Sequence, residues 1–237
     1  MPLFKTDLHN HCNCDPVDHL HYSAEALVDR AIARGIHALA ITPHGEVFHN
    51  PRAVDYAAEK GLLLIAGVEK MVEGREVVIL NVVPDDISNE FKFSDLRNLR
   101  ARLGGQILVI APHPFYPRPS CVGPVLTENQ DLFDAVEHAH LYGFGWNPNR
   151  QALRWAKSFG KAVVANTDCH DLSMVGRNWS EVDAEELTTD SLFAAIRTVK
   201  VKFVSRPPSV WEFAKFAMTV AVYQQARRIA MPRTKKY

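Results

Sequence analysis

Short, almost wholly apolar segments alternate with helix-forming segments along most of the chain. Uninterrupted apolar strands of this kind are typical of a parallel sheet whose two faces are both covered by helices. The chain has 237 residues, of which 47% are hydrophobic, and single α/β barrels commonly reach this size. No glycine-rich dinucleotide or P-loop motif follows any strand, which favours a closed barrel over an open nucleotide-binding sheet.

The pattern of apolar residues, caps and glycines predicts the positions of the individual elements. We predict strands at 3–8, 37–42, 62–68, 77–82, 107–111, 132–136, 162–165 and 201–204. We predict helices at 23–34, 51–60, 93–103, 150–159 and 190–199. The pattern changes at residue 207, and a long helix is expected over 210–229. The expected organisation is therefore a barrel over 1–206, with a C-terminal helix and basic tail over 207–237 packed on it or extending from it.

The charge and cysteine content exclude several classes of protein. Lys plus Arg and Asp plus Glu both number 27, so no general basic surface for a stable nucleic-acid complex is expected. There is no uncharged apolar run of about 18 residues and no secretory layout, so we expect a cytoplasmic protein without a membrane span. The 4 cysteines are too few for a disulfide scaffold and are expected to be free thiols. The apolar C-terminal helix is a possible homo-oligomer contact.

Side chains that bind metals follow five of the predicted strands. In chain order they are His9, His11 and Asp15, then His44, then Glu69, then His113, and finally Asp168 and His170. Taken singly, each has an ordinary explanation, such as a helix cap for Asp168. In a parallel barrel, however, the carboxyl ends of all strands open onto one face. Five repetitions at the same topological position therefore predict one metal centre.

The chemistry of these ligands favours phosphoester hydrolysis. The set offers nitrogen and oxygen donors in larger number than one tetrahedral ion needs, and Glu69 is suited to bridge two ions. Ions spaced about 3.5–4 Å apart can hold a phosphate oxygen, activate water and stabilise the leaving oxygen.

The predicted ligands lie in five short motifs, which are, in chain order, Asp7-Leu8-His9-Asn10-His11, Ala40-Ile41-Thr42-Pro43-His44, Gly67-Val68-Glu69, Ala111-Pro112-His113-Pro114 and Asn166-Thr167-Asp168-Cys169-His170. In this order they resemble the motifs of the PHP family, the polymerase and histidinol phosphatase metallohydrolases. The resemblance implies a distorted (β/α)7, TIM-like barrel. It also implies two or three divalent ions, zinc, manganese or iron, at the carboxyl ends of the strands.

The resemblance also implies roles for the individual residues. His9 and His11 would bind one ion with Asp168, and Glu69 would bridge it to a second ion held by His113. His44, His170 and a residue from the loop after His11 would hold a third. We choose Asp15 for that loop residue, with Asp18, His19 and His21 as competitors. The residues expected to carry catalysis are His9, His11, Glu69, Asp168 and His170.

The sequence departs from the family pattern at two positions. Pro43 stands where the family usually has Asp before its second-motif His, and altered tuning of the site is expected. Asn81 stands where the family often supplies another His, which weakens the expected second ion site. Glu137 and His138 follow another strand, where they would orient ligands or contact substrate. A purely structural role for them is equally compatible with the sequence.

Phosphate recognition requires cations near the metal centre. Arg118, Arg150 and Arg177 lie after the later strands and are candidates for bidentate phosphate contacts, and Lys70 is a further one. The expected substrate is a small phosphorylated metabolite or a nucleotide. Two other functions remain open: an amidohydrolase-type deacylase, and a non-catalytic metal-binding scaffold or sensor.

Overall fold

The computed structural model describes residues 2–143, 145–209 and 211, which contain nine strands and six α-helices. The strands are β1 Leu3–Asp7, β2 Ala38–Ile41, β3 Leu63–Val72, β4 Arg75–Leu80, β5 Leu108–Ala111, β6 Ala135–His138, β7 Ala162–Ala165, β8 Trp179–Asp183 and β9 Val201–Val204. The helices are α1 Ala24–Ala33, α2 Pro51–Glu59, α3 Phe93–Leu103, α4 Gly123–Leu126, α5 Asn149–Phe159 and α6 Thr189–Arg197. The predicted helix over 210–229 and the basic tail, with the oligomer contact assigned to them, lie outside the described residues.

All nine strands form one sheet, in the order β7-β6-β5-β4-β3-β2-β1-β8-β9. The two terminal strands, β7 and β9, also lie against each other, so the sheet curves into a nearly closed barrel. The predicted α/β barrel is confirmed. Within the described residues, no helix has the length and apolar character needed to cross a bilayer.

The prediction of a wholly parallel sheet is wrong. β4 pairs antiparallel with both β3 and β5, and β8 pairs antiparallel with β1 and β9. Only Glu73 and Gly74 separate β3 from β4, and both have positive φ, 49° and 79°. This two-residue turn reverses the chain at once, as in a hairpin. β4 therefore begins, rather than ends, at the face of the barrel where β3 ends.

Apolar side chains fill the space inside the sheet and between the sheet and its helices. One buried cluster joins Ala40, Ile65, Leu80 and Ile110 of the strands with Phe193 of α6. Two further clusters pack the outer side of the sheet, one against α1 and α2 and the other against α3 and α5. The strand ends are thus attached to a packed frame, which holds the polar residues that follow them in defined positions.

Candidate metal centre

Backbone contacts beyond the strand ends join the predicted metal-binding segments to one another. The amide of Asp168, after β7, donates to the carbonyl of His9, after β1, at 2.9 Å. His44, after β2, forms an isolated bridge with Glu69 of β3. In addition, the side-chain oxygen of Asn166 accepts from the amide of Leu8 at 2.8 Å. Segments far apart in sequence therefore meet at one face, as the barrel prediction required.

His9, His11, Glu69 and Asp168 form the middle of the centre. The Nε2 atoms of His9 and His11 lie 3.3 Å apart. Glu69 Oε2 is 3.1 Å from His9 Nε2 and 3.4 Å from His11 Nε2. Asp168 Oδ1 is 3.2 Å from His11 Nε2 and 3.7 Å from His9 Nε2. Two imidazole nitrogens and two carboxylate oxygens thus converge from β3 and from the segments that follow β1 and β7.

The loop after His11 supplies Asp15, which connects two histidines. Its Oδ2 atom is 2.9 Å from Nδ1 of His11 and 2.9 Å from Nδ1 of His44. Its Oδ1 atom accepts from the amides of Val17 and Asp18, which holds the loop in place. His44 Nε2 in turn lies 3.2 Å from Glu69 Oε2.

Asp18, a competitor of Asp15 in the sequence, also lies at the centre. Its Oδ2 atom is 2.9 Å from His170 Nε2 and 3.6 Å from His44 Nδ1. The other two competitors, His19 and His21, are exposed to solvent. The structure therefore brings both aspartates of this loop to the histidines.

Glu137, at the end of β6, lies directly behind His9. Its Oε1 atom is 3.1 Å from His9 Nδ1 and accepts from the side-chain amide of Asn166, while Oε2 accepts from the amide of His113 at 2.9 Å. Glu137 thus orients one candidate ligand ring and the backbone of another. Its neighbour His138 instead stacks on Phe203, with ring centroids 4.8 Å apart.

Replacing Glu137 by glutamine is expected to weaken the affinity for divalent metal by about 10–100-fold, the usual cost of losing a partner behind a metal ligand. The amide keeps the size of the side chain but offers no negative charge to Nδ1 of His9. Metal titration monitored by calorimetry measures the effect. Glu181→Gln on β8 is a matched control, and equal affinities in the two variants would contradict the role of Glu137.

The electrostatics of the centre show carboxylates and imidazoles that stabilise each other's charge. Burial alone would lower the pKa of His9, but Glu69, Glu137 and Asp168 outweigh it and hold that pKa well above its ordinary value. Burial likewise opposes ionisation of Asp168, yet His9 and His170 keep its pKa well below the usual range. Opposite charges on imidazoles and carboxylates therefore stabilise each other in the centre. The ionised carboxylates are suited to bind cations.

The donor set fits divalent metal ions. Three groups have their ligand atoms within 4.8 Å of one another: His9, His11 and Glu69; His11, Asp15 and His44; and His11, Asp168 and His170. Imidazole and carboxylate together suit zinc, manganese and iron. Each group shares His11, so the three positions would lie side by side.

The two departures from the family pattern have different outcomes. Asn81 follows β4, and because β4 runs antiparallel, this residue lies towards the barrel end where β5 begins. Its amide donates to the carbonyl of Gln106 at 2.8 Å, so Asn81 lies away from the other predicted metal-binding residues. Pro43 is buried, and its carbonyl accepts from the amide of Glu69 at 3.0 Å, which fixes β3 against the loop of His44.

Sequence reasoning missed Glu76, at the start of β4, and Cys121, in the loop before α4. Both approach His113: Glu76 Oε2 is 3.7 Å and Cys121 Sγ 3.6 Å from its Nδ1 atom. The hairpin turn at Glu73 and Gly74 was the available signal, because it shows that the start of β4 lies beside the end of β3. No comparable signal marks Cys121.

Of the predicted phosphate-binding residues, Arg118 lies against the centre. Its Nη2 atom is 3.0 Å from His113 Nε2 and 3.3 Å from Glu76 Oε2. Arg150 is exposed in the first turn of α5, and Arg177 is half-buried after the short turn at Leu172–Met174. The ammonium of Lys70 donates to the carbonyl of Gly45, beside the loop of His44. Contact of any of them with phosphate remains a prediction.

Comparison with known families identifies the class of protein that this barrel and its centre represent. The model of the PHP domain matches residues 7–154, and the model of a PHP-associated region matches residues 146–201. The chain therefore belongs to the PHP family, as the motifs predicted. No curated protein matches the sequence.

Solved structures share the fold at low sequence identity. A two-domain protein from Bacteroides vulgatus, which contains a predicted PHP-like metal-dependent phosphoesterase, aligns with a TM-score of 0.65 and 16% identity over 86% of this chain. PsfC from Pseudomonas syringae aligns with a TM-score of 0.66 and 15% identity, covering 95% of this chain and 99% of that one.

Endonuclease Q from Pyrococcus furiosus, a lesion-specific enzyme, aligns with a TM-score of 0.57 and 13% identity over 85% of this chain. This chain spans 65% of the Bacteroides protein and 57% of the endonuclease. At these identities the likeness establishes the fold.

Proposed function

We propose that this chain is a metal-dependent hydrolase of phosphoesters. The observation that carries the proposal is the convergence of nitrogen and oxygen donors on His11, which belongs to three candidate metal-binding groups at one end of the barrel. The proposed ligands are His9, His11, Asp15, His44, Glu69, His113, Asp168 and His170. Asp18 is kept as an alternative to Asp15.

Carboxylates that contact Nδ1 set the tautomer of three of these imidazoles. Glu137 accepts from Nδ1 of His9, and Asp15 accepts from Nδ1 of both His11 and His44. A carboxylate in this position favours the tautomer whose Nε2 lone pair is free. All three Nε2 atoms lie within 3.4 Å of Glu69 Oε2. The protein thus presents preoriented donors around one shared carboxylate.

Divalent ions in such a site supply Lewis acidity, which acidifies water and stabilises the negative charge of a phosphoryl transition state. This chemistry requires no protein nucleophile. The residues of the chain would bind and space the ions, and Asp168 and His170 lie on the side of the centre next to β7. The same donors would also suit hydrolysis of an amide. A test of phosphoester and amide substrates therefore separates the phosphoesterase from the amidohydrolase-type alternative.

Arg118 is the residue best placed to bind the phosphate of a substrate. Its side chain is 53% exposed, and it lines a pocket with Phe115, Tyr116 and Gln151 beside His113. An exposed guanidinium next to a metal centre can leave its carboxylate partner and form paired hydrogen bonds with a phosphate.

The variant Arg118→Ala is expected to lower kcat/KM for a phosphoester by about 10–100-fold, because a hydrogen bond to a charged group is worth roughly 1.5–3 kcal/mol. Steady-state kinetics at saturating metal measure this loss. Arg154→Ala, an exposed arginine of α5, is the matched control. A loss of equal size in both variants would remove Arg118 from the substrate site.

The experiment that tests the function compares chelated, metal-free protein with protein reconstituted with Mn²⁺ or Zn²⁺. The substrates are a phosphomonoester, a nucleotide, an oligonucleotide and an N-acyl amide. We expect phosphoester hydrolysis that is lost on chelation and restored by metal. Turnover of the amide alone would establish the deacylase alternative. Less than one ion per chain, unchanged on reconstitution, would establish the scaffold.

The oligonucleotide is included because a structural relative, endonuclease Q, is known in complex with a 27-mer duplex that carries an abasic lesion. The zero net charge of this chain still favours a small phosphorylated metabolite or nucleotide as the substrate. Preferential cleavage of the oligonucleotide would overturn that preference while leaving the phosphoesterase proposal intact.

A further inference from the structure

Two thiols face each other in the loop that follows β1. The Sγ atoms of this thiol pair, Cys12 and Cys14, lie 3.2 Å apart, so the two sulfur atoms are in contact. Cys12 is fully buried, whereas Cys14 is exposed. Only Asn13 separates them, and its amide donates to the carbonyl of Tyr22 at 2.9 Å. One thiol can therefore react with a reagent from solvent while the other lies directly behind it.

The other two cysteines have different surroundings. Cys169 is buried, and its thiol donates to the carbonyl of Asp171 at 3.3 Å. Cys121 is buried in the loop before α4, where its Sγ atom lies 3.6 Å from Nδ1 of His113. Neither of these contacts involves a second sulfur atom. Disulfide formation within the chain is therefore favoured at the thiol pair, where the two sulfur atoms already touch.

The thiol pair lies between two residues of the candidate metal centre. His11 precedes Cys12, and Asp15 follows Cys14. The amide of Asp15 donates to the carbonyl of Cys12 at 2.9 Å. The Oδ2 atom of Asp15 lies 2.9 Å from Nδ1 of His11 and 2.9 Å from Nδ1 of His44. A displacement of the backbone at Cys14 would thus move a carboxylate that two candidate ligand rings share.

A disulfide bond between the two thiols would require such a displacement. Bonded sulfur atoms are about 2.05 Å apart, so the pair must close by about 1 Å across one intervening residue. Cys12 is enclosed in the apolar cluster that packs β2 against α1 and α2. Most of the movement therefore falls on the exposed Cys14, which is bonded directly to Asp15.

We propose that Cys12 and Cys14 form a reversible disulfide that weakens metal binding at the centre, and that they act in this way as a redox switch. The regulation rests on the proposed metal-dependent function, whereas formation of the disulfide does not. Exposed disulfides are among the more easily reduced ones in proteins, which suits a reversible role.

The oxidant is a small disulfide such as oxidised glutathione. The thiolate of Cys14 attacks one of its sulfur atoms, which forms a mixed disulfide and releases one small thiolate. The thiolate of Cys12 then attacks Sγ of Cys14, so that the protein disulfide forms and the second small thiolate leaves. The protons of the two protein thiols end on the released thiols. The pair is thus oxidised by two electrons, and a small dithiol reverses the reaction.

The disulfide is tested by equilibrating the metal-free chain with mixtures of reduced and oxidised glutathione and then alkylating the free thiols. Peptide mass spectrometry should show both thiols of the pair lost to a link between residues 12 and 14. Cys14→Ser should abolish the link, whereas the matched control Cys121→Ser keeps the pair and should still form it. A stable mixed disulfide at Cys14, or thiols that stay free at every ratio, would overturn the proposal.

The coupling to the centre is measured with Mn²⁺, because manganese favours oxygen ligands over thiolates and so does not report the loss of thiol donors. Calorimetric titration after removal of glutathione should show an affinity about 10–100-fold weaker in the oxidised chain, the usual cost of losing a partner behind a metal ligand. Cys14→Ser should bind Mn²⁺ equally well after either treatment. By linkage, saturating Mn²⁺ should lower the ratio of squared glutathione to glutathione disulfide at half oxidation by the same factor.

The outcomes separate this inference from the proposed function. A disulfide that leaves the Mn²⁺ affinity unchanged overturns the switch. Absence of the disulfide in a chain that binds metal also overturns it and leaves the phosphoesterase proposal standing. A reduced chain that binds no divalent ion overturns the metal centre and the coupling together, while the peptide map still decides whether the disulfide forms. Near-identical circular dichroism of the reduced, oxidised and Cys14→Ser chains shows that the change in affinity is not a loss of fold.

Discussion

Replacing His11 by alanine is expected to remove metal from most of the centre and to reduce phosphoester hydrolysis by on the order of 10³-fold or more. His11 is the one residue common to three candidate groups, so a single truncation takes a donor from each. It also leaves Asp15 without one of its two histidine partners. The measurement combines elemental analysis of the purified variant with initial rates at saturating metal.

His21→Ala is the control for this prediction, because His21 is an exposed histidine at the end of the same loop. Its metal content and rate should match those of the wild-type chain. Circular dichroism must show that His11→Ala is folded, since the imidazole is fully buried. Unchanged metal content and unchanged rate in a folded His11→Ala variant would place the metal centre elsewhere.

The second large effect concerns stability, at the opposite end of the barrel. Asp134, just before β6, binds Arg100 of α3 through both carboxylate oxygens, at 2.8 and 3.0 Å. It also accepts from Arg197 of α6 and from the amide of Val109 in β5. Asp134→Ala is expected to lower the free energy of unfolding by about 3 kcal/mol, because it leaves two partly buried guanidinium groups and one amide without their acceptor.

Asp131→Ala is the matched control, because Asp131 also pairs with an arginine of α3, Arg97, but on the surface. An exposed pair of this kind contributes less than about 1 kcal/mol. Chemical denaturation at neutral pH measures both variants. Equal losses would show that the Asp134 network adds nothing beyond a surface ion pair.

The pH dependence of the Asp134 effect follows from its pKa. Burial opposes ionisation, but Arg100, the amide of Val109 and Arg197 outweigh it and hold the pKa of Asp134 below its ordinary value. A carboxyl whose folded pKa is depressed contributes stability above its unfolded pKa, about 3.9. That contribution is lost as the pH falls through the folded pKa. The difference between wild type and Asp134→Ala should therefore be full at pH 7 and shrink in the acid range.

Most of the elements with strong periodicity were predictable from the sequence. The helix over Phe93–Leu103 and the strands over Ala162–Ala165 and Val201–Val204 have the predicted bounds. Ser23, the first residue of the predicted helix 23–34, is the N-cap of α1 and accepts from the amide of Ala26. These segments carry their signal locally, in apolar spacing, caps and glycines, so no tertiary information was needed.

Other elements depended on contacts that a linear pattern does not contain. The strand β8 was missed because its sequence, Trp-Ser-Glu-Val-Asp, places the polar Ser180 on the buried side. The fold satisfies that hydroxyl through the amide and carbonyl of Ala165 on β7. The strand predicted at 132–136 lies at Ala135–His138 instead, after a 3-10 turn at Gln130–Leu132. In both cases the position of the strand depends on backbone partners from elsewhere in the chain.

The candidate site likewise has one part that the sequence predicts and another that depends on tertiary contacts. The segments that hold His9, Glu69, His113 and Asp168 were predicted to converge, since the carboxyl ends of neighbouring strands share one face. The residues that surround them were harder to predict from the sequence. Glu137 was an open choice between two roles. Asn81 was compared with a histidine of the family's centre, and Glu76 was missed, because the positions of both depend on the direction of β4.

The contacts between β1 and β7 also set when the centre can form during synthesis. Leu8 is bound to Asn166 across 158 residues, and Asp7 to Thr167 across 160. A nascent chain that stops short of residue 168 contains the His9 and His11 pair but lacks the segment that completes its surroundings. Closing so long a loop is entropically costly until the intervening strands have paired. Loading of the centre therefore belongs to the last stage of folding, after almost the whole barrel has been made.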